Sequence, residues 1–119
     1  MKLGLIGIGE LGIAIAKNIL KAGHELLVFD LNAEAVTQAV GYGAVAAESA
    51  AALAGAVEVV LTALPNPPII EDVMLGGGGV LAAMNSGTCW IDHSTNERDL
   101  LQKIEGLAKE KGVSVIEAP

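Results

Sequence analysis

The hydrophobic period of this sequence changes repeatedly along the chain. Short runs of consecutive apolar residues alternate with segments whose apolar residues recur every three to four positions. This alternation predicts strands and helices in the order β-α-β-α-β-α-β-α-β-α-β. Because the predicted strands are apolar on both faces, we expect a parallel sheet with helices packed on each side. Right-handed crossovers then predict an α/β fold with a doubly wound parallel sheet, in one domain over residues 1–119.

The boundaries of these elements follow from the apolar runs and from glycine, proline and capping residues. The predicted strands are Lys2–Ile6, Leu26–Phe29, Ala44–Ala46, Val57–Thr62, Thr88–Ile91 and Val113–Ile116. The predicted helices are Leu11–Ala22, Ala33–Val40, a short helix capped by Ser49 that ends at Ala54, Ile69–Met74, one turn at Val80–Met84, and Glu97–Lys111.

Composition excludes several classes of protein. Hydrophobic residues make up 52% of the chain, which excludes intrinsic disorder, but no apolar stretch reaches the roughly 20 residues of a membrane helix. The net charge of −7 argues against a nucleic-acid partner. Cys89 is the only cysteine, which excludes an internal disulfide and a Cys-rich metal site, and no metal ligand is assigned. With no secretory signal at Met1, a cytoplasmic location is the simplest expectation.

A glycine motif follows the first predicted strand directly. Residues 7–12 read G-x-G-x-x-G, between a strand and a helix, as in Rossmann-type dinucleotide-binding folds. Gly7 permits a tight turn, Gly9 lets a pyrophosphate approach the backbone, and Gly12 lets the helix lie close to the strand. Free amide groups at the start of the helix would then bind the phosphates.

Asp30 ends the second predicted strand, about 20 residues after the motif, where a carboxylate accepts hydrogen bonds from the adenosine ribose. The same carboxylate would repel a 2′-phosphate, and neither Leu31 nor Asn32 offers a cation to receive one. The sequence therefore favours NAD over NADP as the cofactor. The structural alternative is a solvent-exposed aspartate that only closes the strand.

Two further loops follow the carboxyl ends of predicted strands, where ligands bind in open α/β sheets. Leu64 and Pro65 lie in the first loop, which also has a purely structural interpretation as a rigid entry to the next helix. Ser94 and Thr95 lie in the second, where they are alternatively N-caps of the long helix. His93 has no partner that the sequence identifies, so no catalytic residue is assigned.

Several segments together resemble the β-hydroxyacid dehydrogenases, a family that includes 3-hydroxyisobutyrate dehydrogenase, tartronate semialdehyde reductase and, more distantly, 6-phosphogluconate dehydrogenase. The segments that carry this resemblance are Gly4–Gly12, Lys17–His24, Thr62–Pro65, Gly76 with Gly79, Ile91–Thr95, Lys111-Gly112 and Glu117–Pro119. The resemblance covers the whole chain.

The resemblance implies a role for each matching site residue. Leu11 and Gly12 would bind the pyrophosphate through their backbone, Asp30 the ribose, and Leu64, Pro65 and Thr95 the nicotinamide side. Ser94 is the one candidate for contact with the substrate. The chain departs from the family pattern by Leu11 in place of Met, Arg98 in place of Pro and Glu117 in place of Asp, and His93 stands at a variable position.

Members of this family continue beyond the point that matches Pro119, into a substrate loop and a helical domain with a catalytic Lys and an Asn. We therefore expect this chain to be the cofactor half of an oxidoreductase for a small 3-hydroxy acid or its semialdehyde. On this view it binds NAD(H) without turnover, the substrate binds only with the missing domain, and uncovered apolar surface favours a homo-oligomer. The alternative is a non-catalytic dinucleotide-sensing or interaction module.

Overall fold

Six parallel strands form one sheet in the computed structural model, which describes residues 1–77, 79–93 and 98–117. The strands are β1 (Lys2–Ile6), β2 (Glu25–Phe29), β3 (Val45–Ala46), β4 (Val59–Thr62), β5 (Cys89–Asp92) and β6 (Ser114–Glu117). Their order across the sheet is β3-β2-β1-β4-β5-β6, and every neighbouring pair is parallel. The order reverses between β1 and β4, so the predicted doubly wound, Rossmann-like sheet is confirmed.

The helices lie within one or two residues of their predicted bounds. They are α1 (Glu10–Lys21), α2 (Ala33–Gly41), α3 (Ala50–Ala56), α4 (Pro67–Leu75), α5 (Val80–Ala83) and α6 (Arg98–Lys111). Helix α4 begins before the predicted Ile69 because Asn66 is its N-cap, with the side chain accepting a hydrogen bond from the Ile69 amide. Prolines follow that cap, at positions where a helix does not need their missing N–H groups.

One strand boundary matters for the site. Strand β5 runs one residue further than predicted, so Asp92 is the last residue of the strand and not the first residue of a loop. It pairs in register with Thr62, the last residue of β4. Both side chains are fully buried. The predicted strand ended at Ile91, which left Asp92 in the loop that follows.

A hydrophobic core lies on each face of the sheet. Helices α1 and α2 pack on one face over a cluster that includes Leu5, Val28 and Ala16. Helices α3 to α6 cover the other face, where the cluster includes Trp90, Leu53 and Ile104. Burial of both sheet faces explains why the strands read as continuous apolar runs and do not alternate. Among the described residues, no helix is both long enough and apolar enough to cross a membrane.

Two glycines of the motif are required by close backbone contacts. Gly7 has a φ of +90°, and a Cβ on it would lie 2.5 Å from the carbonyl oxygen of Ala63. A Cβ on Gly12 would overlap the carbonyl oxygen of Gly7 itself. Both obstacles are backbone atoms, which cannot rotate away as a side chain does. The first turn of α1 therefore packs directly against the loop that precedes it.

We predict that Gly12→Ala destabilises the chain by about 1–3 kcal/mol, because the added methyl group must push α1 away from the loop. The measurement is urea denaturation followed by circular dichroism. Gly106→Ala is the matched control: Gly106 lies in α6 with open space around it, and alanine there should stabilise the helix by roughly 0.5–1 kcal/mol. Equal stabilities of the two variants would contradict the proposed contact.

Cys89, the first residue of β5, is half-buried, and burial raises the pKa of its thiol above its ordinary value. The reactive thiolate is therefore scarcer in the folded protein than in the unfolded chain at the same pH. At pH 8 we predict that a chromogenic disulfide reagent reacts several-fold more slowly with the native protein than with the urea-unfolded chain. Equal rates would contradict this prediction, because they would show that the thiol is freely accessible and that its pKa is not raised.

Candidate functional site

A cleft of about 550 Å³ opens at the carboxyl ends of β1, β2 and β4, beside the point where the strand order reverses. Ligands of doubly wound sheets bind at this switch point, because the loops on its two sides diverge towards opposite faces. The residues that line the cleft are Ile6, Gly7, Ile8, Gly9, Glu10, Leu11, Gly12, Phe29, Asp30, Leu31, Ala63, Leu64, Pro65, Ile69, Val73 and His93.

The structure brings most of the predicted site residues together in this one cleft. Those that line it are Gly7, Gly9, Leu11, Gly12, Asp30, Leu64 and Pro65. Ser94 and Thr95, predicted for the substrate and nicotinamide side, lie outside the described residues. His93, to which no catalytic role was assigned, also lines the cleft. Within residues 1–77, 79–93 and 98–117, no group of three His, Cys, Asp or Glu side chains is placed to hold a metal ion.

The glycine loop presents backbone donors to the cleft. Gly9 is the N-cap of α1 and has no side chain to cap the helix. The first amide groups of a helix have no intrahelical partner, and those of Glu10, Leu11 and Gly12 belong to residues that line the cleft. A Cβ on Gly9 would meet no atom within 4 Å, so this side of the loop is open to a ligand. Such a helix start is suited to binding an anion.

Asp30 joins the glycine loop to the end of β2. Its Oδ2 accepts a hydrogen bond of 2.7 Å from the Ile8 amide, and its Oδ1 accepts one of 2.9 Å from the Asn32 amide. The side chain is half-buried. The carboxylate therefore has two roles: it holds the glycine loop in place, and it lines the cleft. The alternative of a merely exposed aspartate does not describe this arrangement, and the bond to Ile8 was not predicted.

A second, shallower pocket of about 430 Å³ continues from the cleft along the start of α2. It shares Ile8, Gly9 and Glu10 with the cleft and adds Asn32 and Glu34, among others. Two carboxylates line this pocket, and none of its described lining residues is Lys, Arg or His. The pocket is therefore unfavourable for a further negatively charged group.

Three buried polar side chains of β4 and β5 form a chain of hydrogen bonds beside the cleft. The Nε1–H group of Trp90 donates to Oγ1 of Thr62 at 2.9 Å, and the Thr62 hydroxyl donates to Oδ1 of Asp92 at 2.9 Å. No functional role was predicted for Trp90, Thr62 or Asp92. The sequence does show a polar residue at the end of each of these two apolar strands. That Thr62 and Asp92 lie side by side, however, depends on the register between β4 and β5.

Comparisons with known proteins agree with this geometry. The family model described as the NAD binding domain of 6-phosphogluconate dehydrogenase matches residues 2–119. The chain is 40% identical over 119 residues to 2-(hydroxymethyl)glutarate dehydrogenase of Eubacterium barkeri, covering all of this chain and 40% of that protein. It is 37% identical over 117 residues to 3-hydroxyisobutyrate dehydrogenase of Pseudomonas aeruginosa, covering 98% of this chain and 39% of that protein.

Among solved structures, Mycobacterium tuberculosis 3-hydroxyisobutyrate dehydrogenase with L-serine superimposes with a TM-score of 0.90 at 28% identity, covering 99% of this chain and 40% of that one. The chain thus spans about two fifths of the length of these relatives. The expected family resemblance is confirmed. The chain belongs to the family of NAD-binding domains of the 6-phosphogluconate dehydrogenase type, which the 3-hydroxyisobutyrate dehydrogenases share.

Proposed function

We propose that this domain binds NAD(H) in the cleft and serves an oxidoreductase that moves a hydride to or from a small 3-hydroxy acid or its semialdehyde. One observation carries the proposal: the open glycine loop, the start of α1 and the Asp30 carboxylate converge on one cleft at the switch point of the sheet. When bound, NAD accepts a hydride at C4 of the nicotinamide ring and NADH donates one from there. The family to which the chain belongs is consistent with this chemistry.

The chain's own groups suit each part of a dinucleotide. The amide groups of Leu11 and Gly12 at the start of α1 would donate hydrogen bonds to the pyrophosphate, and the open space at Gly9 would admit it. The Asp30 carboxylate would accept hydrogen bonds from the ribose hydroxyls. Each Oδ atom of that carboxylate accepts one bond from a backbone amide, and each retains further acceptor capacity. Because Ile8 and Asn32 already fix the carboxylate, little side-chain entropy is lost on binding.

The pocket beside Asp30 supports NAD over NADP. The carboxylates of Glu10 and Glu34 line it together with Asn32, so a 2′-phosphate there would meet negative charge on two sides. NADP-binding sites of this fold supply an arginine to such a phosphate. None of the described residues around this pocket has a positive charge.

An apolar wall made by Leu64, Pro65, Ile69 and Val73 would hold the nicotinamide ring, with Thr95 as an expected further contact. This wall would orient the ring and exclude water from its face.

Reduction of a carbonyl also needs a group that delivers a proton to the substrate oxygen. We assign no such group to the 119 residues, and Ser94 remains a proposed contact with the substrate only. We therefore propose that the chain by itself binds the cofactor without turnover.

The first test is parallel fluorescence titration of the chain with NADH and NADPH. We predict that NADH binds at least about tenfold more tightly, because the 2′-phosphate must be placed beside Glu10 and Glu34, and tenfold corresponds to about 1.4 kcal/mol. Preferential binding of NADPH would overturn the choice of cofactor and leave the cleft as the site. Failure of both cofactors to bind would contradict the proposed function and favour an interaction module.

The second test is Asp30→Ala. We predict about tenfold to hundredfold weaker NADH binding and a smaller preference over NADPH, because the variant removes the ribose acceptor but leaves Glu10 and Glu34 in place. It should also lose about 1–3 kcal/mol of stability, since the buried amide of Ile8 loses its partner. Titration at low temperature and urea denaturation measure the two effects separately. Glu110→Ala, an exposed acid on α6, is the control and should change neither. A variant that bound NADH as tightly as the parent chain would contradict the ribose contact.

A further inference from the structure

The buried chain of Trp90, Thr62 and Asp92 has a fixed direction. An indole nitrogen only donates, so Oγ1 of Thr62 must accept from Trp90. The single proton of the hydroxyl is then directed to Oδ1 of Asp92. All three side chains are fully buried, and no buried side-chain nitrogen or oxygen of the described residues lacks a hydrogen-bond partner. A fully satisfied buried network of this kind defines one geometry and resists others.

The network lies at the position where two strands end and the cleft wall begins. Thr62 and Asp92 are paired end residues of β4 and β5, and the next residues, Ala63 and His93, both line the cleft. The backbone continues the connection: the His93 amide donates to the Thr62 carbonyl at 2.8 Å, and the Ala63 amide donates to the Ile6 carbonyl at 3.0 Å. A displacement at either strand end therefore moves the cleft wall.

The position of Ala63 also determines the glycine loop. Its carbonyl oxygen lies so close to Gly7 that a methyl group on Gly7 would stand 2.5 Å from it. A change in the end of β4 is thus transmitted to the first residue of the loop that faces the pyrophosphate. Trp90, Thr62 and Asp92 do not themselves line the cleft. Backbone contacts such as these connect the network to the residues that line the cleft.

We propose that Thr62 and Asp92 are positioning residues, which hold the wall at Ala63–Pro65 and the backbone at His93 in the geometry that binds the nicotinamide half of the cofactor. This inference rests on the proposed function of the cleft. The hydroxyl of Thr62 is the central element, because it is the one group that both accepts from Trp90 and donates to Asp92.

The test compares Thr62→Val with Thr62→Ser in the full 119-residue chain. Valine matches the shape of threonine but removes both hydrogen bonds, whereas serine keeps the hydroxyl and loses only a methyl group. Ile104→Val is the control for a loss of core packing, since Ile104 is fully buried in the same core and does not line the cleft. Trp90 is the only tryptophan, so energy transfer from its indole to bound NADH reports binding from one defined position.

We expect Thr62→Val to raise the NADH dissociation constant at least fivefold, and Thr62→Ser and Ile104→Val to leave it within twofold of the parent chain. Amide hydrogen exchange at Ala63, Leu64 and His93 should be faster in Thr62→Val alone. A structural role without positioning would lower the stability of Thr62→Val but leave the dissociation constant of its folded form and these exchange rates unchanged, and that result would overturn the inference.

The two proposals fail in different ways. If the parent chain binds neither NADH nor NADPH, the proposed function fails, and amide exchange still decides whether the network positions the wall. If the parent chain binds NADH and Thr62→Val binds it equally well, the positioning role fails and the proposed function stands. If Thr62→Val does not fold, Asp92→Asn takes its place. It retains an acceptor oxygen for Thr62 but loses the charge, and its dissociation constant should again rise.

Discussion

The contact between the backbone of the glycine loop and the first turn of α1 is the constraint on which the site depends. Because Gly12 has no side chain, the helix packs against the Gly7 carbonyl, and because Gly7 adopts a positive φ, the loop turns there beside β4. Together these two positions direct the first amide groups of the helix into the cleft. Any larger residue would move the helix axis, and with it every donor at its start.

The carboxylate of Asp30 extends this constraint across the sheet. Its bond to the Ile8 amide links residues 22 positions apart and joins the end of β2 to the loop after β1. The backbone makes a parallel connection, because the Gly7 amide donates to the carbonyl of Phe29 at 3.0 Å. The loop is therefore held from two sides before any ligand is present. Preorganisation of this kind lowers the entropy that is lost on binding.

How much could be predicted from sequence depends on the range of the interactions. The strands and helices were predictable, because apolar period, capping residues such as Asn66 and glycine positions are local signals. The cleft residues were predictable because they follow strand ends and match a known motif. The bonds from Asp30 to Ile8 and from Thr62 to Asp92 were not, since they join residues 22 and 30 positions apart and depend on the strand register. A one-residue difference in the end of β5 was enough to place Asp92 in a loop.

A protein with a net negative charge can still bind an anion, because electrostatic interactions act locally. A chain of net charge −7 offers an anion site at the start of α1, because salt screens charges beyond roughly 8–10 Å while helix amide groups act at contact distance. The nearby acids, Glu10, Asp30 and Glu34, lie along the side that continues to the start of α2. A pyrophosphate would meet the backbone amides at the start of α1, whereas a 2′-phosphate would lie beside Glu10 and Glu34 with no cation among the described lining residues. The proposed discrimination between NAD and NADP therefore rests on this local arrangement of amide dipoles and carboxylates and not on the total charge of the protein.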